Sequence, residues 1–379
     1  MRLNWFSPLP PAKTGLAGFT EHIAPALAEQ FDVTFWTDAA SWDRDLERFG
    51  KIRRYRSSQT ADVDPANSNV FNLGNDPRFH KQIYYLCRRW PGIIVLHDLD
   101  LGGLLRSVSR QDRQLRRALR QRSKDRHLRP DLKLVLENAQ GVIVHTQQAY
   151  KALHSDKNCP VIFQPLPFPA SELKRPRQTN NRLPKLLMMF GFFGANRRLE
   201  SVLRALAAYP GKSELRLDIF GEIKKPRELE RAIRKFSLRD LVKLHGFVSE
   251  KELDAALAQT DLAINLRYPT MGEASISQLR IWNQAVPSLV TCIGWYADLP
   301  PGTAAYVDPQ NEIVDLHAHF DGLRQNPEKY RQMGERGHAT LVAEHNPANY
   351  IQAIAELVGQ TSAISGTKRM AFSGVTSGR

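Results

Sequence analysis

The chain has 379 residues, 42% of them hydrophobic, and carries 53 lysines and arginines against 39 acids, for a net charge of +14. That length allows two domains with separate cores, and no apolar run reaches the roughly 18 residues of a membrane span. Three scattered cysteines, Cys87, Cys159 and Cys292, argue against a disulfide framework or a zinc site and fit a reducing cytoplasm. The first residues carry one charge and then Ser7-Pro-Leu-Pro-Pro11, with no apolar core of a signal peptide.

A short strand is expected at residues 2–6, then a proline- and glycine-rich loop to Gly18 and a helix over 21–30. Further strands are expected at 33–36, 69–73, 93–96, 142–145 and 161–163, with helical patterns between several of them, including 77–89. Strands alternating with helices predict a parallel sheet with helices on both faces. In such sheets ligands bind beyond the C-terminal strand ends. Pro160, Pro165, Pro167 and Pro169 then precede a polar run to Pro184 without periodicity, which reads as a linker. The alternation resumes with strands at 186–190, 215–220, 242–245, 262–266, 288–291 and 305–307 and helices at 198–209, 228–236, 250–259 and 275–284. Two helices, 312–326 and 327–344, close this half. The division is therefore 1–168, a linker at 169–184, and 185–346. A helix at 347–358 would cross back to the first domain, and 359–379, small and polar, is expected to be disordered.

The charge excess calls for an acidic partner and is concentrated at 110–129, where eight arginines and one lysine face two aspartates. This segment reads either as a solvated helix face or as a surface for anionic lipid or a lipid-phosphate acceptor. Nucleic acid is the weakest reading, because the run lacks interleaved aromatics and no nucleic-acid module signature appears.

Four loops at strand ends carry chemistry. The first spans Pro10 to Gly18, where Thr14 and Gly15 let a backbone approach a ligand closely. The second is His97-Asp98, directly beyond a strand. The third is Phe190-Gly-Phe192-Phe-Gly194 followed by Arg197-Arg198, whose guanidinium groups suit a diphosphate. The fourth is 265–278, where an apolar run ends in a loop, Gly272, Glu273 and a fresh helix N-terminus. Free N–H groups there favour a phosphate, and the single carboxylate Glu273 suits neutral sugar hydroxyls. His245-Gly-Phe-Val248 offers backbone contacts to a base. There is no His-x-x-x-His, Cys-x-x-Cys, Walker A or Gly-x-Gly-x-x-Gly pattern.

These anchors, in this order, resemble the retaining glycosyltransferases of family 4 (group 1). The resemblance covers residues 1 to about 358 and also rests on Gly294-Trp295 and Leu299-Pro300. It implies an α/β fold of GT-B architecture, with two Rossmann-like doubly wound domains facing each other across a cleft. A nucleoside diphosphate sugar (GDP-mannose or a UDP-hexose) would be held by the C-terminal domain. A glycan or lipid-linked acceptor, as in polysaccharide or glycolipid synthesis, would enter from the N-terminal one. Catalysis would need no metal and no cofactor. Glu273, His97 and Arg197 match catalytic positions. Gly15, Phe192, Arg197, Arg198, Val248, Glu273, Ser275 and Ile276 match donor-binding positions, and Asp98 and Thr14 lie on the acceptor side. The expected location is the cytoplasm, with the basic segment as a means of peripheral attachment to the inner face of the plasma membrane. One departure stands out: the second acid of the family's Glu-x7-Glu motif is Ile281 here, which leaves ribose recognition to another group such as Glu250 or Glu252. The alternatives are a GT-B sugar-nucleotide epimerase and a weakly catalytic donor-binding partner of another transferase.

Overall fold

Short apolar runs that end in small or polar residues alternate with amphipathic segments, and the alternation builds two parallel sheets. The computed structural model describes residues 1–59, 61–124, 130–154, 159–173 and 183–373. The chain separates into two units. One is Met1–Pro169 with Met271–Ala274 and the chain from Asn346 on, and the other is Ala170–Thr270 with Ser275–His345. Of the expected linker, residues 174–182 lie outside the described residues.

The first unit runs β1 (Arg2–Phe6), α1 (Gly15–Gln30), β2 (Asp32–Thr37), β3 (Lys51–Arg54), β4 (Ser68–Leu73), α2 (Pro77–Arg89) and β5 (Gly92–Leu96). It continues through α3 (Gly102–Val108), α4 (Arg113–Lys124), α5 (Pro130–Val135), β6 (Ala139–Val144), α6 (Gln147–Leu153) and β7 (Val161–Phe163). The strands are all parallel, in the order β3-β2-β1-β4-β5-β6-β7. The direction of winding therefore reverses between β1 and β4. The second unit runs β8 (Lys185–Phe193), α7 (Leu199–Ala208), β9 (Leu215–Ile223), α8 (Pro226–Lys235), β10 (Val242–Gly246) and α9 (Glu250–Gln259). It is completed by β11 (Leu262–Asn265), α10 (Ile276–Asn283), β12 (Ser288–Thr291), β13 (Ala305–Val307), α11 (Glu312–Gln325) and α12 (Pro327–Glu344). Its order is β10-β9-β8-β11-β12-β13, again parallel, with the reversal between β8 and β11.

Four differences from the sequence reading have physical causes. α1 starts at Gly15, six residues before the expected helix. Glycine lowers helix propensity by about 1 kcal/mol, but Ala17 and Phe19 are buried and their packing decides the conformation. β3 was not expected: its sequence Lys-Ile-Arg-Arg is mostly exposed, as an edge strand allows. α13 (Pro347–Ser373) continues well past residue 358 instead of giving way to disorder. No proline interrupts it, and each added residue extends an existing helix by one hydrogen bond; residues 374–379 lie outside the described residues. α13 packs in the first unit, where Leu357 lies against Gly141 and Tyr350 meets the Phe19 ring edge-on at 6.0 Å. Lastly, Met271–Ala274 groups with the first unit rather than the second. Gly272 has φ +75°, and a Cβ there would lie 2.7 Å from Leu99, so only glycine fits this close approach.

The two sheets have separate cores. Leu203, Leu206, Leu217, Ile219, Ile264 and Phe320 are among the buried residues of the second unit. Phe6, Phe71, Ile94, Leu96, Val142 and Leu104 play that part in the first. Among the described residues no helix is long and apolar enough to cross a membrane.

Candidate functional site

In open α/β sheets the place where the winding reverses leaves a crevice at the strand ends. In the second unit that point lies between β8 and β11, and the candidate residues of this half gather around it. β8 and β9 stay paired through Gly191↔Gly221 and two residues beyond. Both glycines have positive φ, and a Cβ on Gly221 would lie 2.0 Å from the Gly191 carbonyl oxygen. Only glycine lets the two backbones meet there. The extension projects Phe192, 41% exposed, beside Phe247 at the end of β10, 58% exposed. Their rings are 6.3 Å apart, a pair of aromatic faces held in the open.

Arg197 sits in a short 3-10 turn, Ala195–Arg197, and is 4% exposed. Its Nη1 donates to Asn265 Oδ1 at 3.0 Å and its Nη2 to the Phe190 carbonyl at 2.8 Å. Asn265, the last residue of β11, donates through Nδ2 to Gln278 Oε1 at 3.0 Å and to Ser275 Oγ at 3.5 Å. Gln278 Nε2 in turn donates to Ser288 Oγ at 2.7 Å. This buried chain joins the guanidinium, the end of β11 and the first turn of α10. Neutral oxygens receive the arginine's hydrogens, so the positive charge is fixed in place. Ser275 is the N-cap, its Oγ accepting from Gln278 N–H at 3.2 Å. The helical bonds of α10 begin at Gln278 and Leu279, and the N–H groups of Ile276 and Ser277 precede them, as at any helix start.

Arg198 has a different fate. Its backbone is left-handed, φ 54°, which turns it away from Arg197. Nε and Nη2 donate to the two oxygens of Glu312 at 2.6 and 2.7 Å, and the guanidinium lies 5.9 Å from the Tyr268 ring. The Glu312 carboxylate raises the Arg198 pKa. Two of the five guanidinium N–H groups are committed to this fork, and Glu312 is itself 6% exposed.

Glu273 and its loop belong to the first unit. Glu273 Oε2 accepts the Met271 N–H at 2.6 Å, Asp100 N–H bonds the Met271 carbonyl at 2.9 Å, and Thr146 Oγ1 donates to the Gly272 carbonyl at 3.4 Å. Elsewhere in that unit His97 follows β5 and is buried. Asn72 Nδ2 donates to the Phe6 carbonyl at 3.2 Å, so its Oδ1 is the acceptor for His97 Nε2 at 3.1 Å. That places the imidazole proton on Nε2 and a lone pair on Nδ1. The ring packs edge-on to Phe19 at 4.8 Å and lies 4.9 Å from His145. Burial, then the neighbouring His145 and His80, hold its pKa well below the usual histidine value, so the ring is neutral. Asp98 Oδ2 accepts Asn75 N–H at 2.7 Å and ties down the loop after β4. Thr14 is the N-cap of α1, with no bond from its side chain into the helix, and Gly15 is the exposed first helical residue.

Of the two substitutes for the acid missing at position 281, Glu252 is used structurally. Its carboxylate accepts from Ser249 N–H at 2.9 Å and Oγ at 2.7 Å, a capping box on α9. Glu250 instead pairs with Arg280. Ile281 is 1% exposed in an apolar cluster with Met188, Phe190 and Phe220, and Val248 packs against it. Asn265, Gln278, Glu312, Arg280 and Phe247 escaped the sequence reading as single residues. Asn265 alone left a signal there, a polar residue closing an apolar run.

Residues 171–340 match the family model described as glycosyl transferases group 1. Solved structures extend the likeness to both units. HepE from Anabaena, in complex with UDP-glucose, aligns with a TM-score of 0.69 at 14% identity over 95% of this chain and 100% of that one. Sucrose-phosphate synthase from Thermosynechococcus elongatus gives 0.66 at 14% over 98% and 100%. WaaG, a glycosyltransferase involved in lipopolysaccharide biosynthesis, gives 0.62 at 13% over 92% and 98%. The fold of the chain is accordingly GT-B. No curated protein matches the chain by sequence.

Proposed function

We propose that this protein is a group 1 glycosyltransferase and, within that group, a retaining, metal-independent hexosyltransferase. Its donor would be a nucleoside diphosphate hexose (a UDP-hexose or GDP-mannose) and its acceptor a hydroxyl of a glycan or lipid-linked sugar. The observation that carries the reading is the buried Arg197–Asn265–Ser275 chain at the turning point of the second sheet. It sets a fixed positive charge next to the first turn of α10, and a helix start favours anions. A sugar diphosphate is the ligand whose charge and length suit both. HepE, of the same fold, is described with UDP-glucose, which supports a nucleotide-sugar donor here.

In this mechanism the bond between the anomeric carbon and the diphosphate oxygen stretches first. Charge grows on the leaving group, and Arg197 and the N–H groups of Ile276 and Ser277 stabilise it without reorganising. The acceptor hydroxyl attacks from the same face of the oxocarbenium-like sugar, and its proton passes to the departing phosphate. Glu273, oriented by Met271 N–H, serves sugar hydroxyls. Neutral His97 serves the transferred sugar through its Nδ1 lone pair. Phe192, Phe247 and Val248 take the base. Gly15 serves the diphosphate, and Thr14 and Asp98 serve the acceptor. Arg198 acts through Glu312 by holding the turn that aims Arg197.

The exposed face of α4 supports attachment to an anionic membrane surface. Arg113, Arg116, Arg117, Arg120 and Lys124 are exposed, while Leu115 and Ala118 are buried. The contact would be electrostatic, since the helix's apolar side is already covered; residues 125–129 of the basic run lie outside the described residues.

A thermal-shift panel of nucleotide sugars tests the donor reading, because a ligand bound only by the folded state raises Tm. At least one nucleoside diphosphate hexose is expected to raise it, and with an acceptor to yield a glycoside of retained configuration. Conversion of that donor into a different sugar nucleotide without acceptor would support the epimerase instead.

A further inference from the structure

The first sheet carries a polar pair that the proposed mechanism leaves unused. β2 and β3 run parallel, with Trp36 opposite Arg53 and Thr37 opposite Arg54. The Tyr55 N–H continues this ladder to the Thr37 carbonyl at 3.0 Å. Asp38 and Tyr55 are therefore neighbours just beyond the C-terminal ends of the two strands, about 5 Å apart across the ladder and on one face. The Tyr55 ring lies 6.5 Å from Trp36 and 6.4 Å from Phe6. It is 2% exposed, yet among the described residues nothing hydrogen-bonds its hydroxyl. The half-buried Asp38 carboxylate accepts from its own N–H alone. Burial, then the Asp38 carboxylate, raise the pKa of the Tyr55 phenol well above its usual value, and burial raises that of Asp38. A buried donor and an acceptor thus stand side by side without bonding each other. A hydroxyl placed between them accepts from Tyr55 and donates to Asp38. An ammonium has no lone pair for the phenol, and Asp38 repels a carboxylate or phosphate.

The pair stands where ligands of parallel sheets bind, beyond the strand ends and close to the reversal of winding. The chain after Asp38 turns back towards the acceptor-side loop, for Asp43 N–H donates to the Pro10 carbonyl at 2.7 Å. β2, β1, β4 and β5 are consecutive in the sheet, so Asp38 lies three strands from His97, ~14 Å at the usual strand spacing. That is farther than one sugar ring reaches. We infer that Asp38 and Tyr55 bind a hydroxyl of a neutral saccharide acceptor, at a sugar residue beyond the one that receives the transferred hexose. This rests on the glycosyltransferase reading above and narrows its acceptor to an oligosaccharide, free or lipid-linked. A buried hydroxyl left without a partner lowers stability in the free protein, and a bound sugar would offset that loss.

The test is binding of the labelled full-length chain to an array of monosaccharides and of neutral and acidic oligosaccharides, with a thermal melt of each variant. The wild type is expected to bind at least one neutral oligosaccharide more tightly than any of its constituent monosaccharides. Tyr55→Phe and Asp38→Ala should each weaken that binding about tenfold, as for one lost hydrogen bond. Tyr55→Phe should melt no lower than the wild type, since its hydroxyl holds nothing in the free protein. Asp32→Asn, at the other end of β2, should change neither readout. A wild type that binds no oligosaccharide, or acidic ones only, would overturn the inference, as would unchanged binding in both variants. A lower Tm for Tyr55→Phe would mark a structural pair and overturn it too. If these results fail while nucleotide sugars still raise Tm, the donor reading stands. If no nucleotide sugar raises Tm, that reading falls instead.

Discussion

The ends of β5 and of β8 are treated in opposite ways. After β5, burial takes His97 out of the charged state: the ring lies among Phe19, His145 and Asn72, and its proton sits on the nitrogen that faces an amide oxygen. After β8, burial takes Arg197 out of solvent without discharging it, because a guanidinium does not lose its proton in proteins. An amide oxygen and a backbone carbonyl receive its hydrogens instead. A buried imidazole becomes a neutral hydrogen-bonding group, whereas a buried guanidinium becomes a preset charge. The first suits a sugar hydroxyl and the second a leaving group that gains negative charge.

The largest effect should come from removing the preset charge. Arg197→Ala is expected to cut kcat by about 10²–10³-fold, the range for losing one preorganised charge stabiliser. Near-wild-type turnover of the folded variant would break the contrast between the two strand ends. The neighbouring arginine should respond differently. Arg198→Ala and Glu312→Ala are each expected to lower stability by about 2 kcal/mol, as for hydrogen bonds to charged groups. The double variant should lose little more than the worse single one. Urea unfolding measures this, and a hundredfold loss of kcat at unchanged stability would return Arg198 to the diphosphate.

The histidine side of the contrast predicts a pH dependence of stability. In the unfolded chain these imidazoles bind protons near pH 6.5. In the folded chain burial lowers the pKa of His80 to about 4 and that of His97 well below the usual value. Unfolding then takes up protons between those limits. The stabilisation is complete above about pH 6.5 and falls by up to about 1.4 kcal/mol per pH unit for each histidine as pH drops. His80→Gln should flatten the slope between pH 6.5 and 4, and an unchanged slope would mean that the ring is already charged. The smallest effects belong to the exposed basic face of α4. Replacing Arg113, Arg116, Arg117 and Arg120 by alanine should leave stability within about 0.5 kcal/mol while abolishing cosedimentation with anionic vesicles. Each arginine contributes about 1 kcal/mol near such a surface. Retained binding would end the membrane reading of α4.

Much of the fold was legible in the sequence because it depends on local patterns. Apolar runs of four to six residues mark the buried parallel strands, and α2, α9 and α12 have the bounds that their capping and periodicity indicate. The loops at strand ends could be located for the same reason, and with them Arg197, His97 and Glu273. Their partners could not be read. Asn265 lies 68 residues from Arg197, Glu312 114 from Arg198, and Glu250 30 from Arg280. No spacing rule spans such distances. A left-handed residue at 198 separates two adjacent arginines that look interchangeable in sequence, and a close approach to Leu99 assigns Met271–Ala274 to the first unit. The positions of strands and helices along the chain follow from short-range patterning. Which charge is buried, which is paired and which faces solvent depends on groups brought together only when the sheets form, so only the tertiary structure decided them.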